Sequence, residues 1–237
     1  MPVRALLAVM TAGGFAVVLH SVLHKQLLHP LQFGLLLLIA MVASRFKVKL
    51  PGLEGNMSVN VPFILIAMVE LSLFEALMIA AASTVAQCFP KGGGRPEAVK
   101  MLFNVSTLAV AVGLAGLIFQ GRMPLPTAWL SGSLLLSLAA ASFFLAQTVP
   151  VATIISLTDG GSAPRIWSSI CQLSFPYYVL SAGVTSLVTT ASHRMGWQIP
   201  LLVLPVMYGV YRSYRLYFSQ PERSARPSAL AKAAGSE

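Results

Sequence analysis

Charged side chains are scarce in this chain. Asp, Glu, Lys and Arg make up 10% of its 237 residues, and Asp159 is its single aspartate. A soluble globular domain carries about 25% charged residues, and no stretch here before the last twenty or so positions is polar enough to form one. An ordinary water-soluble enzyme domain is therefore excluded. Cysteine is equally sparse: Cys88 and Cys171 both lie in or beside apolar runs and form no CxxC or Cys/His ligand set. Catalytic signatures are missing as well. The chain has no HExxH, no GxSxG, no Walker lysine loop and no DxD-type acidic pair for a metal-bound diphosphate. The expectation is a non-enzymatic protein without a cofactor.

What is abundant is apolar surface. Hydrophobic residues make up 56% of the chain and the mean hydropathy is +0.77. Only lipid can solvate such a composition, and an all-α polytopic membrane bundle follows. A span needs about 20 apolar residues to cross about 30 Å of hydrocarbon. Six stretches qualify, at about 5–22, 31–45, 101–120, 128–149, 166–190 and 199–217. The N-terminal run resembles a signal peptide at its start, but it continues through Gly13, Gly14 and His20 without a cleavage-type small-residue site, and reads as a first span.

Residues 58–89 are too long for one comfortable crossing and too short for two, and Glu70 and Glu75 interrupt them. A pair of short tilted helices or a re-entrant hairpin, bent near Ser72 and covered by other helices, solves the problem. The positive-inside rule supports it. If the segment goes in and returns, 13 of the 16 basic residues fall on one side, with only Lys25, Arg122 and Arg194 opposite. A single crossing would separate Arg45, Lys47 and Lys49 from Lys91, Arg95 and Lys100. The expectation is six spans plus a broken-helix hairpin in a single membrane domain over 1–218, with both termini cytoplasmic in the cell inner membrane and a disordered basic tail over 219–237. The dispersed basic residues form no nucleic-acid-binding stripe; the partner they address is the lipid bilayer.

Ionisable groups within spans are costly and default to functional candidates. Glu70 and Glu75 would lie about 140° apart on a continuous helix, but a break between them could aim both at one polar cavity, where carboxylates can hold a cation, an amine or a proton. The alternative is that each caps a helix end at the interface. Asn104, Gln172, Tyr177 and Tyr178 complete the candidate ligand-binding set, the tyrosines because Pro176 beside them can open the helix. His20 and His24 share a helix face and are weak metal candidates. Metal-dependent membrane enzymes generally need more ligands than these.

A resemblance is carried by Leu50-Pro51-Gly52, Ser58, Pro62-Phe63, Glu75-Ala76, Ser83, Gln87 and Phe103-Asn104, together with Phe175-Pro176-Tyr177-Tyr178. Across about residues 45–190 the chain resembles the N-terminal membrane region of bacterial HD-GYP and diguanylate cyclase sensor proteins. The resemblance implies a multi-span sensory or ligand-binding module. No HD or GGDEF output domain follows the last span, so signalling is expected to run through a separate signalling or coupling protein. The compact plan is also similar, at the level of fold, to substrate-binding subunits of energy-coupling-factor vitamin transporters. A small-molecule transporter or transporter subunit is thus the second reading, and a metal-dependent membrane enzyme built on His20, His24, Glu70, Glu75 and Asp159 the third.

Overall fold

The computed structural model describes residues 2–24, 29–49, 56–89, 97–120, 131–196 and 198–216. Its helices are α1 (Pro2–Leu23), α2 (Pro30–Ser44), α3 (Val61–Glu70), α4 (Leu73–Cys88), α5 (Ala98–Phe119), α6 (Gly132–Asp159) and α7 (Ala163–Met195). A 3-10 turn at Ile199–Leu202 leads into α8 over 203–216. The chain is an all-α bundle, relieved by one small ribbon in which β1 (Lys47–Lys49) pairs antiparallel with β2 (Asn56–Ser58). The ribbon was not expected from the sequence. The proposed basic tail lies outside the described residues.

Among the described residues three helices, α1, α5 and α6, are long and apolar enough to cross a membrane. The helices α6 and α7 both extend beyond the stretches read from hydropathy, running through Pro150 and Pro176 to 28 and 33 residues. Gly160 and Gly161, at φ 81° and 99°, form the tight turn between them; positive φ there suits residues without a Cβ.

The awkward segment is a broken pair. After Glu70 the backbone turns extended at Leu71 and Ser72, with ψ of 175° and 158°. The two helices have 10 and 16 residues, so at about 1.5 Å per residue they span about 15 and about 24 Å. Neither matches a full 30 Å crossing. All eight side chains from Val61 to Met68 are buried, and α3 packs against α2, α4, α5 and α7. A helix apolar all round is stable only when enclosed on every side, and these neighbours enclose it.

The hairpin returns to the end from which it left. Arg45, just past α2, donates from Nη1 to the carbonyls of Ala86 (3.0 Å) and Phe89 (3.4 Å), and Lys47 donates to the carbonyl of Gln87. These cations meet orphan carbonyls at the C-terminus of α4, where the helix dipole also favours positive charge. The helices α4 and α5 are antiparallel, with Leu73 beside Gly116 and Cys88 beside Asn104. By contrast α1 runs parallel to α5, since Gly14 meets Ser106 while Val17 meets Gly113. Tyr208 and Tyr211 of α8 pack on Phe46, with ring centroids 5.6 and 5.3 Å away. Arg4, Arg45, Lys47, Lys100, Arg212 and Arg215 therefore gather at one end of the bundle.

Candidate functional site

Two groups of polar atoms inside the bundle lie one at each end of α3. At the bend, Gln32 in the first turn of α2 donates from Nε2 to Glu70 Oε2 at 2.5 Å. Ser72 and Glu75 close a capping box: Glu75 Oε2 accepts from Ser72 N (2.9 Å) and Oγ (2.8 Å), while Ser72 Oγ accepts from Glu75 N (3.3 Å). This pairing satisfies two backbone donors at the start of α4. Glu75 thus does cap a helix end, but it is wholly buried instead of hydrated, and its Oε1 has no hydrogen-bond partner. The two glutamates occupy either side of one break and engage different partners.

At the entry to α3, Asn60 donates from Nδ2 to Ser83 Oγ at 3.1 Å, and Ser58 Oγ donates to Asn60 Oδ1 and toward Gln87 Oε1 (3.2 Å). These bonds tie the start of α3 to the second half of α4. From the other side comes α7. Thr185 Oγ1 donates to Ser181 O and lies 3.5 Å from Pro62 O. The Tyr177 ring is fully buried. Its hydroxyl faces Ser181 and the Val61 backbone without forming a well-aligned hydrogen bond, which leaves a buried phenolic oxygen unsatisfied.

The other sequence candidates lie elsewhere. Tyr178 is buried between α6 and α7, donating to Gln147 Oε1 at 2.8 Å and packing edge-on against Phe144. Asn104 is exposed, its closest polar contact being Cys88 Sγ at 3.9 Å, and Gln172 is also exposed on α7. Neither joins the two groups at α3. His20 and His24 are exposed, with ring centroids 4.6 Å apart and His24 Nδ1 on the His20 carbonyl. Among the described residues no group of three or more His, Cys, Asp or Glu side chains could hold a metal. Asp159 is exposed at the end of α6, away from both groups.

Sequence reasoning overlooked Gln32, Asn60, Ser181 and Thr185. One signal was available: Tyr177, Ser181 and Thr185 recur every fourth residue and so share one face of a helix. For Gln32 and Asn60 no local pattern points to a partner.

The geometry is that of an enclosed hairpin with polar groups at both ends and no assembled catalytic constellation among the described residues. Comparison with curated proteins and with solved structures finds no match. Residues 10–217 match the MASE9 family of membrane-associated sensory domains, and the chain belongs to that family.

Proposed function

We propose that this chain is a non-enzymatic sensory module of the inner membrane that binds a small or amphipathic ligand among its helices and acts through a separate partner protein. The family supplies the sensory role. The observation that carries ligand binding is the buried hairpin α3–α4, flanked by two unsatisfied polar atoms, Glu75 Oε1 and the Tyr177 hydroxyl. Buried polar groups nearly always find partners, so atoms left over inside a fully packed bundle are candidates to receive a ligand's. The gathering of basic residues at one end supports cytoplasmic termini.

Native mass spectrometry of protein released gently from detergent tests the proposal. A specific co-purifying molecule is expected, with occupancy that falls when Glu75 is changed to Gln or Tyr177 to Phe. Protein that stays empty, and that catalyses uptake of solutes into proteoliposomes on its own, would replace the sensor with a carrier.

A further inference from the structure

The two ends of α3 differ in chemistry. The bend carries carboxylates, whereas Asn60, Ser83, Tyr177, Ser181 and Thr185 at the entry are neutral, as are Ser58 and Gln87, with Lys47 engaged on the Gln87 carbonyl. Within that neutral group the hydrogens are unevenly committed. Ser83, Ser181 and Thr185 donate to carbonyls of their own helices, and Asn60 donates to Ser83. Back-bonding of this kind is the ordinary state of Ser and Thr in a helix. The Tyr177 hydroxyl is the exception, wholly buried with its hydrogen uncommitted.

A second exception lies at similar depth. Between the contacts Cys88–Asn104 and Leu73–Gly116, Thr107 of α5 falls level with Ser83. It is 1% exposed, yet its hydroxyl makes no bond even to its own helix. The described threonines on α6, and Thr84 on α4, all bond back.

We infer that the entry end of α3 is the head-group site for an uncharged amphiphile bearing an acceptor oxygen, such as a ketone or quinone carbonyl, which takes its hydrogen bond from the Tyr177 hydroxyl. This deepens the ligand-binding reading above and rests on it. An anionic or cationic head group is disfavoured, because the groups named beside the Tyr177 hydroxyl, Ser181 and Thr185, are neutral and do not compensate a charge for leaving water. A carbonyl oxygen instead requires one donor, and the phenol has one to give. On the side of α7 toward α6, the Tyr178 ring lies 5.8 Å from that of Tyr177 and packs with Phe143 and Phe144, so aromatic surface adjoins this stretch of the helix.

The test uses full-length protein in neutral detergent and three probes: a decyl-substituted benzoquinone, oleate, and dodecyltrimethylammonium. Quenching of tryptophan fluorescence by the quinone reports binding directly; the other two are tested as competitors. Saturable quinone binding is expected, resistant to both ionic amphiphiles and weakened about tenfold in Tyr177→Phe, the loss of one neutral hydrogen bond at the upper end of its range. The thermal midpoint of Tyr177→Phe should equal or exceed that of the unsubstituted chain, since no well-aligned hydrogen bond is lost with the hydroxyl.

Unchanged quinone affinity in Tyr177→Phe would overturn the inference, leaving the hydroxyl served by water alone. So would displacement of the quinone by the alkylammonium; that result would move the ligand to the carboxylate end and leave the proposed function standing. Failure of all three probes to bind, in protein that also retains no co-purifying molecule, would remove both.

Discussion

The capping box at the bend gives a quantitative prediction. Replacing Ser72 by Ala deletes the oxygen that accepts from Glu75 N and donates to Glu75 Oε2. Loss of an N-cap of this type costs about 0.5–2 kcal/mol. Replacing Glu75 by Ala deletes the acceptor of both Ser72 donors within a wholly buried site; disrupted buried hydrogen bonds cost about 1–3 kcal/mol, and the lost side-chain volume adds to that. Glu75→Gln keeps an oxygen able to accept from Ser72 N, and Gln serves this motif as Glu does. The expected order of destabilisation is Glu75→Ala, then Ser72→Ala, then Glu75→Gln.

The sharper quantity is the coupling. Ser72 and Glu75 share the same bonds, so the double variant Ser72→Ala/Glu75→Ala should be less destabilised than the sum of the singles, with an interaction energy in the range of about 0.5–3 kcal/mol typical of touching residues. Reversible unfolding in mixed micelles, followed by far-ultraviolet circular dichroism as the denaturing detergent fraction rises, measures all four corners of the cycle. Single effects that add within about 0.3 kcal/mol would show that the two side chains do not meet in the folded protein, and the physical account of the break would fail with them.

Two further outcomes follow from packing and from charge. A Cβ at Gly14 would lie 2.9 Å from Ser106 Cα and 3.0 Å from its carbonyl oxygen, whereas one at Gly34 would meet nothing within 4 Å. Gly14→Ala should therefore destabilise the fold by about 1–3 kcal/mol by forcing α1 away from α5, while Gly34→Ala should stabilise it by up to about 1 kcal/mol through helix propensity, read as opposite shifts of the thermal midpoint; a Gly14→Ala variant as stable as Gly34→Ala would refute the close approach. If the end with Arg45, Lys47 and Arg212 faces the cytoplasm, a cysteine at Gly132 in a background without Cys88 and Cys171 should react with a membrane-impermeant maleimide in intact cells, and one at Ser162 only after lysis. The reverse pattern would invert the proposed orientation.

Much of this architecture was legible because membrane insertion imposes strong and simple rules. Hydropathy located α1, α5 and the broken segment, and the division of basic residues anticipated that the hairpin would return. The Ser72-x-x-Glu75 spacing even spells a capping box, although the carboxylates drew attention first as site candidates. What was not legible is helix phase. Asn104 and Thr107 are three residues apart on α5, yet Asn104 is exposed and Thr107 buried. In a lipid-solvated bundle both the outward and inward faces are apolar, so hydrophobic periodicity, which distinguishes faces in a soluble helix, carries little information. Gln172 and Tyr177 divide in the same way on α7. Long-range pairing was equally hidden: Thr185 and Pro62 stand 123 positions apart, and neither residue type announces the other.

The enclosure of α3 also bears on how occupancy could become a signal. A helix that exposed one face to lipid could admit a ligand by displacing acyl chains, leaving the bundle unchanged. The helix α3 has no such face along Val61–Met68, and close-packed interiors have little free space to yield. On the reading proposed here, a head group that reaches Tyr177 must displace protein side chains at the contact between α3 and α7. The other contacts of the entry end resist that displacement unequally. Asn60 is held to α4 through Ser83, and α4 in turn is held at its C-terminus by Arg45 and Lys47. No hydrogen bond stronger than the 3.5 Å contact from Thr185 joins α7 to Pro62. Movement should therefore fall on α7 at its contact with α3, and the bonds from Tyr178 to Gln147 (2.8 Å) and from Trp167 to Thr148 (3.1 Å) would carry it into α6.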